Sequence, residues 1–269
     1  MPTKKAVVII DKVVRHLSTN SGVAAIVLAG SQVEGNKFAP DEFSDIELYV
    51  VAFDEQVETV EAEVQKIQNI FTDEEIVLSY KNQWAGWSIL YNNLLRLELP
   101  LVKASNEEAF SRSDEQKIDI LYSKKGFQLK KKVAKTKNDV HENNEEIIKD
   151  FWYMTVYAAQ HIGRGEIWLA RDAVRISMQG KVKRLLQEIN HKDTLTLDRD
   201  RRIELTWDRE ELEVLRETSC TYDKGDLVRA FWANIKIIKQ LLQKLGIGID
   251  LFENYEKKLI PEIKLILGK

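Results

Sequence analysis

Two apolar segments, residues 23–31 (VAAIVLAGS) and residues 45–52 (DIELYVVA), decide the fold of this chain. The first is a continuous apolar run that ends at Gly30 and Ser31, which is typical of a buried strand followed by a tight turn. The second has apolar residues at alternate positions 46, 48 and 50, which lie on one face of a strand, so this pattern also predicts a strand. We therefore expect two strands joined by a loop over residues 32–44.

Working outward from these strands, the chain falls into a mixed half and a helical half. Hydrophobic periodicity predicts helices over residues 6–17 and 54–71, and strands over residues 75–80, 87–90, 94–99 and 117–122. Beyond a lysine-rich segment at 124–137, the same criterion predicts helices over residues 145–162, 166–189, 209–218, 224–245 and 251–267. The expected class is α+β, with a mixed-sheet domain and flanking helices over 1–138 and a helix bundle over 139–269.

Composition excludes several classes of protein. The chain has 269 residues, of which 44% are hydrophobic, and this supports a packed core. A formal charge of -3 argues against nucleic acid as a partner. Cys220 is the only cysteine, so a disulfide framework is excluded. The sequence contains no apolar stretch of about 18 residues, so we expect no membrane span. We expect a cytoplasmic protein.

The acids of the second strand predict a metal site. Residues two apart on a strand share a face, so Asp45 and Glu47 place two carboxylates side by side. Their repulsion favours a cation between them, and Mg²⁺ prefers one or two carboxylates together with substrate phosphates. Gly30 and Ser31 form a strand-end turn that suits phosphate oxygens, and Glu98 offers a third acid on another strand. These are the parts needed for metal-assisted nucleotidyl transfer.

This pattern of Gly-Ser, a long gap and Asp-x-Glu resembles the signature of the DNA polymerase beta-like nucleotidyltransferase superfamily. Within it, the segments 150–153 (DFWY) and 164–170 (RGEIWLA) resemble the lincosamide nucleotidyltransferases and, next, the aminoglycoside 6-adenylyltransferases. The chain departs from the commonest form of the signature, Asp-x-Asp, by having Glu47.

The resemblance implies a role for each of these residues. Gly30 and Ser31 would hold the β and γ phosphates of a nucleoside triphosphate, expected to be ATP. Asp45 and Glu47 would bind Mg²⁺, and Glu98 would act as general base on the attacking hydroxyl. The resemblance also suggests a homodimer.

Basic residues of the helical half are candidates for further triphosphate contacts, because the arginine fork matches phosphate geometry. Arg171 and Arg175 are four residues apart on one predicted helical face, and Arg164 precedes them. A solvated helix face is the alternative explanation for all three.

The acceptor expected from the sequence is a small antibiotic. Aromatic residues at 84–91 and 152–157 favour a lincosamide, which has one amine and an apolar chain, over a polycationic aminoglycoside. Two alternatives stay open, namely a macromolecular acceptor (tRNA or a protein side chain) and a nucleotide-binding module without turnover.

Overall fold

The protein is described by a computed structural model that covers residues 3–36, 39–71, 76–82, 86–105, 117–128, 144–190 and 207–268. The chain divides into two compact units, Met1–His141 and Glu142–Lys269. The first contains a mixed sheet with helices and the second is helical, so the predicted α+β class is confirmed.

The first unit is built on a six-stranded sheet. Its strands are β1 (Val23–Ala29), β2 (Ile46–Ala52), β3 (Ile76–Lys81), β4 (Gly86–Tyr91), β5 (Arg96–Lys103) and β6 (Asp119–Ser123). They lie in the order β3-β4-β5-β2-β1-β6. Only β2 and β5 pair in parallel, whereas the other neighbours are antiparallel. The two strands predicted first are therefore adjacent and central.

Alternation along the central strands gives the sheet two different faces. One face carries Leu28, Leu48 and Leu97 and forms the larger core with apolar residues of α1 (Lys4–Leu17) and α2 (Val57–Gln65). The other face has a smaller cluster of buried residues that includes Ala25, Val27, Ala29, Tyr49, Val51 and Val102. Helices α1 and α2 cover the first face, whereas Phe53, Ala104, Ile118 and Phe127 pack against the cluster on the second face.

The helix predicted over residues 54–71 is shorter than expected. Its α-helical part is α2, and 3-10 turns at Asp54–Gln56 and Lys66–Ile70 flank it. Asp54 does not cap the helix, because its carboxylate accepts hydrogen bonds from the side chain and the backbone N–H of Ser105. These hydrogen bonds lower the pKa of Asp54. Asp54 thus fastens the end of β5 to the start of the helical segment.

The second unit contains only helices among its described residues. They are α3 (Asn144–Arg164), α4 (Ile167–Asp172), α5 (Gln179–Ile189), α6 (Arg209–Thr218), α7 (Lys224–Leu245) and α8 (Ile249–Leu267). The helix predicted over 166–189 is interrupted by a π-helical segment, Ala173–Met178. None of the described helices is both long enough and apolar enough to cross a membrane.

Candidate active site

The structure brings three of the predicted acids onto one face of the sheet. Asp45 lies directly before β2, Glu47 is in β2, and Glu98 is in β5. In the parallel pair, Glu47 is opposite Glu98. Strand alternation puts Asp45 on the same face, two residues before Glu47. We refer to Asp45, Glu47 and Glu98 as the carboxylate block.

A buried arginine lies against this block. Arg96 is only 3% exposed, and its Nη2 is 3.4 Å from Oδ2 of Asp45, whose side chain is 25% exposed. Among the side chains that the structure describes, Arg96 is the only lysine or arginine that is buried. Arg96 shares a face with Glu98, because the two residues are two positions apart on β5. Its ion pair with Asp45 depends on the parallel pairing of β2 with β5, for which a single sequence carries no signal.

The glycine-serine turn lies beside the carboxylate block. β1 pairs with β2 through Ala29 and Glu47, so the turn at Gly30–Gln32 begins one residue beyond that pair. Gly30 has a φ of +76°, a left-handed conformation that favours glycine. A Cβ atom at Gly30 would lie 2.9 Å from Oε2 of Glu47. The turn predicted to bind phosphate and one predicted metal ligand are therefore in direct proximity.

Two amide side chains hold this turn in place. Asn36 donates from Nδ2 to the Gly30 carbonyl at 2.7 Å and to the Lys117 carbonyl at 3.1 Å, and it accepts from the Lys117 N–H at 2.7 Å. Gln32 is fully buried, and its Nε2 is 3.5 Å from the carbonyl of Ser44, the residue before Asp45. Neither residue can be identified from the sequence alone, because their partners are distant in the chain or lie in a loop of unpredictable path.

The donor set suits Mg²⁺ that arrives with a nucleotide better than a metal held by protein alone. Within the described parts of the chain, no group of three or more His, Cys, Asp or Glu side chains could hold a metal ion. Mg²⁺ needs no such group, because it usually binds one or two carboxylates and takes its other ligands from phosphates and water. Asp45 and Glu47 provide such oxygens next to the Gly30 turn. Magnesium binding here stays a prediction.

The three arginines predicted to contact triphosphate all lie in the second unit. The guanidinium of Arg171 lies over the ring of Tyr222, 4.7 Å from its centroid, and 3.4 Å from Oδ1 of Asp172. Arg175 is exposed and lies in the π-helical segment. Arg164 lies 3.8 Å from Glu166. Their contacts with triphosphate stay predictions.

Most of the aromatic residues considered for an acceptor pocket are part of a core. Trp152 and Tyr153 are buried, and Trp152 packs on Phe252 with ring centroids 4.9 Å apart. Tyr91 is buried as well, and Trp84 lies outside the described residues. Trp168 is different, since it is 72% exposed and packs its ring against Tyr222. The aromatic segment at 152–157 therefore lends little support to an apolar acceptor.

Cys220 shows no sign of being a nucleophile. It is partly exposed, and burial raises the pKa of its thiol, with the nearby Arg171 acting in the opposite direction. A raised pKa keeps the thiol protonated at neutral pH, whereas the thiolate is the reactive form. The direction of this pKa shift therefore does not favour Cys220 as a nucleophile.

Comparison with known proteins identifies the family. A family model described as streptomycin adenylyltransferase matches residues 3–258. Among curated proteins, none matches significantly. Solved structures that match include an aminoglycoside 6-adenyltransferase from Bacillus subtilis, with 13% identity, a TM-score of 0.41, and coverage of 97% of this chain and 98% of that one. Another is a STING-associated CdnE c-di-GMP synthase from Capnocytophaga granulosa, with 14% identity, a TM-score of 0.27, and coverage of 96% and 78%. Because the family match spans nearly the whole chain, the protein belongs to the streptomycin adenylyltransferase family and is an antibiotic-modifying nucleotidyltransferase.

Proposed function

We propose that this enzyme transfers the AMP group of ATP to a hydroxyl group of an aminoglycoside of the streptomycin type. The observation that carries the proposal is the carboxylate block beside the Gly30 turn, in a chain whose family match runs from residue 3 to residue 258. The family match supports adenylyl as the transferred group and an antibiotic as the acceptor. The carboxylate block provides the acids that such a transfer needs.

In the proposed reaction, Glu98 takes the proton of the acceptor hydroxyl as its oxygen attacks the α-phosphorus of ATP. A new oxygen–phosphorus bond forms, the bond between the α-phosphorus and the bridging oxygen breaks, and pyrophosphate leaves with the electron pair. Gly30 and Ser31 hold the β and γ phosphates through the turn that follows β1. Asp45 and Glu47 would hold Mg²⁺, which when bound screens the charge of the triphosphate and of the leaving pyrophosphate.

The choice of an aminoglycoside rests on charge as well as on the family. A polycationic acceptor needs several carboxylates around it. Exposed acids occur along the helices of the second unit, where the side chains of Glu145, Glu166 and Asp172 are 61%, 48% and 53% exposed. Each of these acids is ion-paired with a basic neighbour, Lys149, Arg164 or Arg171, so the family is the stronger support for a cationic drug.

A lincosamide, the acceptor favoured by the sequence, is kept as the second candidate because of one observation. Trp168 and Tyr222 form an exposed aromatic pair with ring centroids 4.1 Å apart. Such a pair offers apolar surface to a ligand with an apolar chain. The net charge of -3 argues against tRNA as the acceptor.

Pyrophosphate release, measured with ATP and Mg²⁺ in the presence of streptomycin, lincomycin or clindamycin, tests this proposal. We expect release that depends on streptomycin and stops when EDTA removes the metal. Pyrophosphate release with a lincosamide and not with streptomycin would show that the acceptor is a lincosamide. The proposed reaction would still hold. If ATP binds but no drug stimulates release, the antibiotic acceptor is wrong, and a macromolecular acceptor or a nucleotide-binding module takes its place.

Replacing Gly30 by alanine tests the phosphate-binding turn. Gly30→Ala is expected to destabilise the protein by about 1–2 kcal/mol, because an L-residue is disfavoured at positive φ. It is also expected to raise the KM for ATP several-fold, because its Cβ would displace Glu47. Thermal unfolding and steady-state kinetics give the two values.

A matched control for this variant is Gly126→Ala. Gly126 has a φ of +91°, but a Cβ there would meet nothing within 4 Å. It therefore has a similar backbone penalty without the contact to Glu47, and its KM for ATP should equal that of the wild type. Equal KM values for both variants would show that the turn at Gly30 does not bind the nucleotide.

A further inference from the structure

The face of the sheet that carries the carboxylate block also carries a buried cation. The parallel pairing places Glu47 opposite Glu98, and two positions earlier Asp45 and Arg96 form an ion pair at 3.4 Å. Three negative charges and one positive charge thus share a small patch of two neighbouring strands. Because the guanidinium is only 3% exposed, solvent and salt screen it much less than a surface charge.

The positive charge of Arg96 lies next to the carboxylate that a divalent metal would need as a ligand. A guanidinium keeps its proton at any physiological pH, so the charge of Arg96 is permanent. A metal that enters beside it meets electrostatic repulsion and must share Asp45 with it. A triphosphate changes this balance, because it brings several negative charges and additional oxygen ligands together with the metal.

We propose that Arg96 is a resident counter-ion that disfavours divalent metal in the nucleotide-free site, so that metal enters together with the nucleotide. Arg96 is a positioning residue in this account, since it acts through Asp45 and touches no reacting atom. The inference rests on the proposed function, because it takes Asp45 and Glu47 as the metal ligands. The donor set agrees with it, since the described residues contain no group of three or more His, Cys, Asp or Glu side chains that could hold a metal ion.

Binding of Mn²⁺ to the full chain without nucleotide, followed by electron paramagnetic resonance, tests the inference. The wild type is expected to bind Mn²⁺ weakly, with a dissociation constant of about 1 mM, comparable to the weakest oxygen-ligand sites in proteins. Arg96→Gln removes the positive charge and is expected to bind Mn²⁺ about tenfold or more tightly. Arg96→Lys keeps the charge and is expected to match the wild type, which separates the effect of charge from that of packing.

A double variant tests whether the additional Mn²⁺ affinity of Arg96→Gln depends on Asp45. The gain in Mn²⁺ affinity should disappear in Arg96→Gln combined with Asp45→Asn, because the metal then lacks its proposed ligand. An Arg96→Gln protein that binds Mn²⁺ no more tightly than the wild type would overturn the inference.

If Arg96→Gln fails to fold, as judged by circular dichroism, metal binding by the wild type alone still tests the inference. Micromolar Mn²⁺ binding by the nucleotide-free wild type would overturn the inference, and weak binding that tightens with a non-hydrolysable ATP analogue would support it. Failure of the proposed metal and phosphate site has a different signature, since the wild type would then bind neither Mn²⁺ nor the ATP analogue, and the inference would fall with it.

Discussion

Asp45→Asn is expected to reduce turnover about a thousandfold or more while the fold stays intact. The substitution keeps the size of the side chain and removes the negative charge that would bind the metal. Loss of metal-based charge stabilisation is worth several kcal/mol in the transition state, and about 4 kcal/mol corresponds to a thousandfold in rate. The protein should still fold, because Asp45 lies directly before β2 and is 25% exposed, but its stability should fall because the buried Arg96 loses the charge of its partner. Steady-state kinetics and thermal unfolding measure the two effects separately.

Asp119→Asn serves as the matched control for this prediction. Asp119 is an exposed acid of the edge strand β6, paired with Leu28. Cross-strand partners point to the same face, and Leu28 belongs to the core on the face opposite the carboxylate block. The control removes an equal charge from the same end of the sheet and should keep wild-type turnover. If Asp45→Asn kept most of its activity, Asp45 could not be a metal ligand.

Glu98→Gln is expected to lower kcat by about 10²–10⁴-fold, the usual contribution of a general base, and to leave the affinity for Mg²⁺–ATP nearly unchanged. The glutamine side chain would fill the same space on β5 but could not take the proton of the acceptor hydroxyl. Calorimetric titration with a non-hydrolysable ATP analogue measures binding, and initial rates measure kcat.

Glu47→Gln provides the contrast that identifies the role of Glu98. Both glutamates are half-buried and pair across β2 and β5, so the two substitutions are alike in size and position. We expect Glu47→Gln to weaken binding of Mg²⁺–ATP, whereas Glu98→Gln should not. Equal loss of nucleotide binding in both variants would make Glu98 a third metal ligand, and unchanged kcat in Glu98→Gln would remove its role altogether.

Much of this fold could be predicted because the local signals are strong. β1 is a seven-residue apolar run, and the alternation in β2 leaves Glu47 as its only charged residue. Each strand predicted in the described parts of the chain is present within a few residues of its expected position, and so is each predicted helix except those over 54–71 and 166–189. Helix ends and interruptions were less predictable, because tertiary contacts decide them. Ser105, for example, takes Asp54 away from the capping role that its sequence position suggested.

The candidate site could be predicted only in part. The acids and the glycine-serine turn are local patterns, so they could be recognised without knowledge of strand order. The proximity of Arg96 to Asp45 and the link from Asn36 to Lys117 depend on long-range pairing, and one sequence does not contain that information. The domain boundary at 138, the cytoplasmic location, the homodimer and the triphosphate contacts of Arg171 stay predictions.

The central claim is that the carboxylate block supports adenylyl transfer to a drug hydroxyl, and mass spectrometry of the drug tests it most directly. Streptomycin, incubated with the enzyme, Mg²⁺ and ATP, is expected to gain the mass of one AMP group with the wild type and Asp119→Asn, and to remain unmodified with Asp45→Asn. Formation of the same adduct by Asp45→Asn at the wild-type rate would contradict the claim, because the reaction would then not depend on the carboxylate block.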